Sequence, residues 1–456
     1  MTLPQSASAL FAIPSAEREP WLADVFVWAS GFEQVVDNES AVIYAAPGAG
    51  KTALRLWAQR SAPADVLVVT WLPEPVTDVE PSTPLAQTAL RQAIQALVER
   101  VAQDEQISAR LQQTPAWVGM ALAWFLRTYL PLEAAFYMRS QASGLSAETV
   151  AWYLALLEND PVQIFKPDST QNDQLRILMS ILQLAGFQHV WWMVDGLEKW
   201  HSQADRAVRA LIESLLSTLA IFDLPRFVFK VFAPESLQEV FEKTSGIARD
   251  RLKLIKFTWS EANLTKLVEA RLEMGLSQPG FRLARLCPDP DFYNWLCKYG
   301  GSNPRAWISL MRPFIERFEM ANAPLSPQDW QRIAHESPPP LRLFPERQEA
   351  RLGEYSISID SSDGFKILQY VHRHAGQLCS LEEVYFCGLK GMEKPPGLRD
   401  TGWEHKSLWR PALDTSLYRL RKRLEWDSSN PVYLVTQPRR GLELRYVADL
   451  PSVRHL

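Results

Sequence analysis

The sequence predicts an α/β fold: a parallel sheet carrying a helical insertion and a helical lid, followed by a second, smaller domain of helices and a hairpin. Three observations predict it. Residues 41–52, Ala-Val-Ile-Tyr-Ala-Ala-Pro-Gly-Ala-Gly-Lys-Thr, read as a strand running through a glycine loop into a helix. Further apolar runs at 65–71, 188–194, 226–232 and 252–258 alternate with helical segments, as buried parallel strands do. Ser337-Pro338-Pro339-Pro340 then sets off a C-terminal stretch with its own pattern.

The bulk numbers bound what this chain does. At 456 residues, two or three domains are expected. A hydrophobic content of 47% with 22% charged residues is that of a globular protein. The four cysteines, Cys287, Cys297, Cys379 and Cys387, show no C-x-x-C spacing; this argues against a zinc site and fits a reducing, cytoplasmic home. Met1 to Pro14 lack the basic and apolar regions of a signal peptide. Pro115–Met138 is the most apolar helical stretch, but Arg127 and Glu133 interrupt it, so no membrane span is expected. Charge is uneven: residues 341–456 hold 18 Lys/Arg against 15 Asp/Glu, and the remainder 30 against 37. A polyanion-binding role therefore belongs at the C-terminal end.

Taken in order, residues 1–40 form an approach segment with a helix around Trp21–Val27. The strand at 41–46, the loop and a helix follow, then a strand at 65–71 and a helical insertion at about 85–185. Strands at 188–194, 226–232 and 252–258 complete a core spanning 1–259. Residues 260–336 read as a helical lid, 337–340 as a linker and 341–456 as the C-terminal domain.

The loop at 45–52 has the chemistry of a P-loop. Gly48, Ala49 and Gly50 turn backbone N–H groups inward at a helix N-terminus, which forms an anion nest. Lys51 reaches the β- and γ-phosphates of ATP, and the Thr52 hydroxyl ligates Mg²⁺. Ala45 stands where G-x-x-x-x-G-K-[ST] has its first glycine. Asp195, at the end of the apolar strand Val190–Val194, is the carboxylate expected to hold the Mg²⁺ shell.

In the C-terminal part, apolar residues at 365, 367, 368 and 371 mark a first helix, closed near Gly376. Ser380 and Glu383 form a capping-box pattern for a second. A third spans about Pro411–Leu424, with Leu413, Leu417, Leu420 and Leu424 as its core stripe. Strands at 432–436 and 442–447 follow, joined by Pro438-Arg439-Arg440-Gly441. Three helices and a basic-tipped hairpin describe a winged helix for double-stranded DNA. Its third helix would offer Ser416, Arg419, Lys422 and Arg423 to the major groove, and its tip Arg439 and Arg440.

These motifs resemble two known families. A-A-P-G-A-G-K-T at 45–52, V-W-W-M-V-D-G-L-E at 190–198, F-V-F-K-V-F at 227–232 and G-S-N-P-R-A-W at 301–307 resemble the additional-strand P-loop ATPases, the AAA+ class and its STAND relatives, and among them the origin-recognition-like members. The resemblance implies that Arg305 is the lid arginine that reaches the γ-phosphate. It also implies that Arg249 or Arg251 is an arginine finger completing a neighbour's site, so that ATP would favour homo-oligomers. Gly196 departs from the family's glutamate after the Mg²⁺ aspartate, which leaves Glu198 to polarise water. Ala233-Pro234 departs from the polar sensor of the fourth strand, where Lys230 is the nearest charge. Both departures imply slow hydrolysis. Residues 341–448 resemble the OmpR-type effector domain, whose small N-terminal sheet Leu341–Leu343 and Tyr355–Ile359 would supply; the loop at roughly 388–409 is longer than that pattern. The reading is an ATP-binding switch on duplex DNA, a transcriptional or defence-type regulator. Two alternatives stay open: a scaffold whose insertion at 85–185 receives a protein partner, and a DNA-stimulated loader or remodelling ATPase.

Overall fold

The computed structural model describes residues 6–12, 16–29, 31–73, 85–130, 146–158, 170–198, 212, 224–244, 251–359, 361–396 and 409–448. The chain divides into two compact units, Ser15–Trp259 and a second made of Met1–Pro14 with Ser260–Leu456.

The first unit is built on a parallel sheet of β1 (Ala41–Ala45), β2 (Val66–Trp71), β3 (His189–Val194), β4 (Phe227–Pro234) and β5 (Lys253–Lys256), in the order β2-β3-β4-β1-β5. All registers are parallel, and β4 lies between the strand that feeds the glycine loop and the strand that ends at Asp195. β1 and β4 are buried along their whole lengths, which is why they read as unbroken apolar runs. Helix α1 (Lys51–Ser61) follows β1. The expected insertion supplies α2 (Leu85–Gln103), α3 (Glu105–Gln112), α4 (Ala116–Tyr129), α5 (Ala147–Glu158) and α6 (Gln171–Leu184). Leu90, Leu97, Phe125, Leu126, Leu178 and Ile181 of these helices share one core with Leu67, Val69, Val190, Trp192, Phe227 and Phe229 of the sheet. The insertion therefore covers a sheet face. Short α7 (Gln238–Thr244) puts Phe241 edge-on to Tyr44 of β1, 5.9 Å between ring centroids.

Side chains of opposite parity on the strands face the segment before β1. Trp191 Nε1 donates to Asn38 Oδ1 at 2.9 Å, and Phe26 stacks on Trp57 of α1 at 5.0 Å. The helix expected at Trp21–Val27 is absent: the chain there forms turns and then an irregular run.

In the second unit, α8 (Glu261–Leu276), α9 (Leu283–Leu286), α10 (Pro290–Gly300), α11 (Pro304–Ala321) and α12 (Pro327–Glu336) form the expected helical stretch. Ser260, Asp289, Asn303 and Ser326 cap α8, α10, α11 and α12 by accepting N–H bonds of the first turn. The prolines of 337–340 do not act as a loose tether. Pro338 and Pro339 are buried, Tyr433 Oη donates to Pro339 O at 2.7 Å, and Asn303 Nδ2 donates to Glu354 Oε1 at 2.8 Å.

An antiparallel sheet follows, of β6 (Leu341–Phe344), β7 (Glu349–Leu352) and β8 (Tyr355–Ser358), with β7 an element the sequence reading had left out. Then come α13 (Ser362–Arg373), β9 (Leu378–Cys379) and a short helix, Leu381–Glu383, running into a π-turn at Val384–Leu389. The Ser380 to Glu383 capping box is formed. Last come α14 (Trp409–Leu424), β10 (Leu434–Gln437) and β11 (Gly441–Leu444), with strands in the order β10-β11-β9. Much of the long loop at 388–409 lies outside the described residues.

Candidate nucleotide and nucleic-acid sites

The glycine loop takes its shape from two residues in left-handed backbone conformations, Gly48 at φ 84° and Gly50 at φ 89°. The space beside Gly50 is open enough for a Cβ, with Trp259 at 3.9 Å, so its φ is what demands glycine. The buried Trp259 indole N–H holds the loop by donating to Ala49 O at 2.8 Å. Gly50 gives α1 no side-chain cap, so its first-turn amides keep no intrahelical or side-chain acceptor. That is an anion-binding helix start. Ala45 is the last residue of β1, paired with Pro234, and not the first of the turn.

Lys51 is 4% exposed, and its ammonium has three acceptors: Ala45 O at 3.0 Å, Ala46 O at 3.3 Å and Glu198 Oε1 at 2.7 Å. Three acceptors exhaust its three donors. A phosphate that takes Lys51 has to displace one, and Glu198 is the only acceptor not built into the backbone. Glu198, expected to polarise water, is in the structure the counter-ion of Lys51.

Asp195 is delivered by β3, its N–H bonded to Trp71 O at 3.1 Å. Its carboxylate is buried, with Oδ2 accepting from Arg55 Nε at 2.9 Å and Oδ1 from Gly196 N at 2.8 Å. Arg55 also donates through Nη1 to Gln59 Oε1 at 3.3 Å. The expected Mg²⁺ shell at Asp195 does not fit a buried carboxylate whose charge is already matched by a guanidinium, Arg55. Thr52 stands half-buried in the first turn of α1, and no cluster of metal-binding side chains gathers among the described residues. Arg55 was missed in the sequence. The available signal was its spacing of four from Lys51, which puts both cations on one face of α1.

Lys230 is no sensor. It lies mid-β4, fully buried, and donates to Asp37 Oδ1 at 2.7 Å, Glu39 O at 2.6 Å and Gln34 O at 3.2 Å. Burial pulls its ammonium below the ordinary lysine value, and the bond to Asp37 restores only part of that. Burial pushes the Asp37 carboxyl up, but bonds from Lys230 and Lys253 outweigh it and leave it below the usual range. This network fastens the approach segment to the sheet.

Arg251 is an exposed turn residue just before β5, and Arg249 lies outside the described residues. Arg305 is in the other unit, exposed in the first turn of α11, where its N–H bonds Asn303 Oδ1 at 3.0 Å.

Four of the expected C-terminal residues gather on one surface, and two more stand exposed at the hairpin tip. α14 buries Leu413, Leu417, Leu420 and Leu424 and turns Arg419, Lys422 and Arg423 outward, with Ser416 half-buried beside them. Ser416, Arg419, Lys422 and Arg423 line a cavity of about 390 Å³ together with Ser361 and Gly364 at the start of α13. Arg421 differs: it turns inward and donates to Leu434 O at 2.8 Å and Thr436 Oγ1 at 2.6 Å. The hairpin β10–β11 ends in exposed Arg439 and Arg440, with Arg439 at φ 60°. A Cβ on Gly441 would lie 2.1 Å from Cys379 O, so glycine is required where the hairpin crosses β9. Behind it, the buried Glu425 carboxylate accepts from Val432, Tyr433 and Leu434 N–H groups at 2.8–3.0 Å.

No family model and no curated protein matches this chain. Among solved structures it is similar to the Aeropyrum pernix ORC2 protein in ADPNP-ADP complexes, at 11% identity and TM-score 0.37 over 95% of each chain. It is similar also to the Aeropyrum pernix ORC1 protein in complex with DNA, at 14% identity and TM-score 0.35 over 94% of this chain and 93% of that one. A third is CDC6P from Pyrobaculum aerophilum, at 10% identity and TM-score 0.33 over 96% and 94%. All three alignments run nearly end to end at TM-scores below 0.5. Among the described residues, no helix is long and apolar enough to cross a membrane.

Proposed function

We propose that the chain is an ATP-binding, slowly hydrolysing switch of the P-loop class that grips double-stranded DNA through a C-terminal winged helix, and that it acts as a regulator. One observation carries the reading: a single chain holds an uncapped helix start behind Gly48 and Gly50 with Lys51 at its base, and also the exposed cations Arg419, Lys422 and Arg423 of one helix and Arg439 and Arg440 of one hairpin tip. The first is built for phosphates in a small molecule, the second for phosphates in a polymer.

Slow turnover follows from what the carboxylates are doing. A general base has to reach the attacking water, but Asp195 is held by Arg55, Gly196 adds no carboxylate beside it, and Glu198 is held by Lys51 until a phosphate displaces it. Nucleotide binding that displaces Glu198 from Lys51 changes the end of β3, and this is the step at which the bound state differs from the unbound one. Self-association driven by ATP, with Arg251 facing the next copy, belongs to the same reading.

A mobility-shift titration of the full-length protein with random duplex DNA, with and without ATP, tests it. Salt-sensitive binding whose midpoint moves with ATP is the expected result. Binding that ignores salt favours a protein-docking scaffold, and DNA-stimulated turnover above about 1 s⁻¹ favours a remodelling ATPase.

A further inference from the structure

We propose that Arg55 occupies the electrostatic place of a divalent cation at Asp195, so that the loop holds nucleotide without needing metal; this rests on reading the loop as a nucleotide site. Four charged side chains meet where α1 begins and β3 ends. Lys51 and Arg55 stand one turn apart on α1, and Asp195 and Glu198 follow β3 three residues apart. Each cation takes one carboxylate, Lys51 with Glu198 at 2.7 Å and Arg55 with Asp195 at 2.9 Å.

The Arg55–Asp195 pair is the constraint. Its side chains are 5% and 3% exposed, and the second Asp195 oxygen is bonded to Gly196 N. A guanidinium cannot lose its proton to make room for a second cation. Binding metal at Asp195 would either expel Arg55 from its counter-ion, leaving a buried charge uncompensated, or set two positive charges on one carboxylate away from water. Both are strongly unfavourable. Phosphate charge falls instead to Lys51 and the first-turn amides of α1, neither of which involves a metal.

Full-length protein titrated with ATP, and separately with ADP, in excess Mg²⁺ and in excess EDTA gives the test. Dissociation constants that agree within about threefold are expected, and binding tighter by about tenfold or more in Mg²⁺ overturns the proposal. Arg55→Met keeps the bulk of the side chain and releases Asp195; it should acquire an Mg²⁺ preference of about tenfold. An Arg55→Met protein that folds, by its thermal melt, and keeps the wild-type ratio also overturns it. Where the variant does not fold, the wild-type ratio decides. No nucleotide binding in either buffer instead removes the nucleotide reading itself.

Discussion

Positive charge is used in opposite ways in the two units of this molecule. Around the glycine loop, Lys51 and Arg55 are buried, and each is matched by a carboxylate within 3 Å. On the C-terminal surface, Arg419, Lys422 and Arg423 are exposed; Lys422 lies over the Tyr418 ring at 5.1 Å and Arg423 donates to a backbone carbonyl, Ser358 O, at 3.4 Å. Burial forces pairing, because an isolated charge away from water is too costly to keep. Exposure permits charge to be held in reserve for a polyanion. On the proposed reading, the first site binds by exchanging an internal partner for a phosphate, and the second by releasing the counter-ions of its ligand.

Salt separates the two mechanisms most strongly. Five basic side chains on DNA phosphates give a slope of about −0.9 each, so duplex affinity should fall about 500-fold between 50 and 200 mM salt. Nucleotide affinity, governed by buried groups that salt screens less, should change by less than about tenfold. Fluorescence anisotropy with labelled duplex and labelled nucleotide over one salt series measures both. Equal slopes would break the contrast.

Glu425 sharpens it from another side. At the glycine loop the buried Asp195 carboxylate is met by a side-chain cation, whereas Glu425 is met chiefly by three backbone N–H groups of the strand entrance. Glu425→Ala leaves those amides without an acceptor and should cost about 3 kcal/mol, read as a lower unfolding midpoint of the second unit. Burial pushes the Glu425 carboxyl above its ordinary value, against the pull of those amides and Arg421. With a raised folded-state value, its linked stability is fully present below the ordinary glutamate value and declines as pH rises through the raised one. Denaturation of wild type against Glu425→Gln across acid pH checks the sign.

Lys51→Ala ranks next. It removes the lysine of the loop and should weaken ATP binding roughly 100-fold, by the worth of charged hydrogen bonds. Calorimetry on the full-length variant measures this, and an unchanged constant would mean that the loop is not the nucleotide site.

What the sequence shows depends on how far apart the cooperating residues lie. β1 and β3 are legible because burial on both faces leaves uninterrupted apolar runs, and 48–52 because loop, lysine and helix are contiguous. The turns at 21–25 read as helix because aromatic spacing alone does not reveal that Phe26 and Trp28 both pack on Trp57. β7 has only four residues, Glu-Ala-Arg-Leu, in which Ala350 and Leu352 point inward, too short for its period of two to stand out. The proline run read as a tether because its burial depends on Tyr433, some ninety residues away. Arg55 was the most consequential omission. Its partner is 140 residues away, and locally only its spacing of four from Lys51 sets it apart from a solvated helix arginine.

The smallest expected effect has the most telling sign. A glutamate that serves as catalytic base can be exchanged for glutamine with little change in nucleotide affinity and a large loss of turnover. Here Glu198 competes with phosphate for Lys51, and its side chain is 34% exposed, so the pair is neither fully buried nor merely superficial. Glu198→Gln keeps shape but removes the charge that holds Lys51. A partly screened ion pair is worth about 1 kcal/mol, so ATP and ADP should bind about fivefold more tightly. Both should gain equally, because Lys51 is released before either nucleotide arrives. If Glu198→Gln instead leaves affinity unchanged and abolishes measurable hydrolysis, Glu198 swings away from Lys51 once ATP is bound and acts as the base. The glycine loop would then hold its charges in reserve much as the C-terminal surface does.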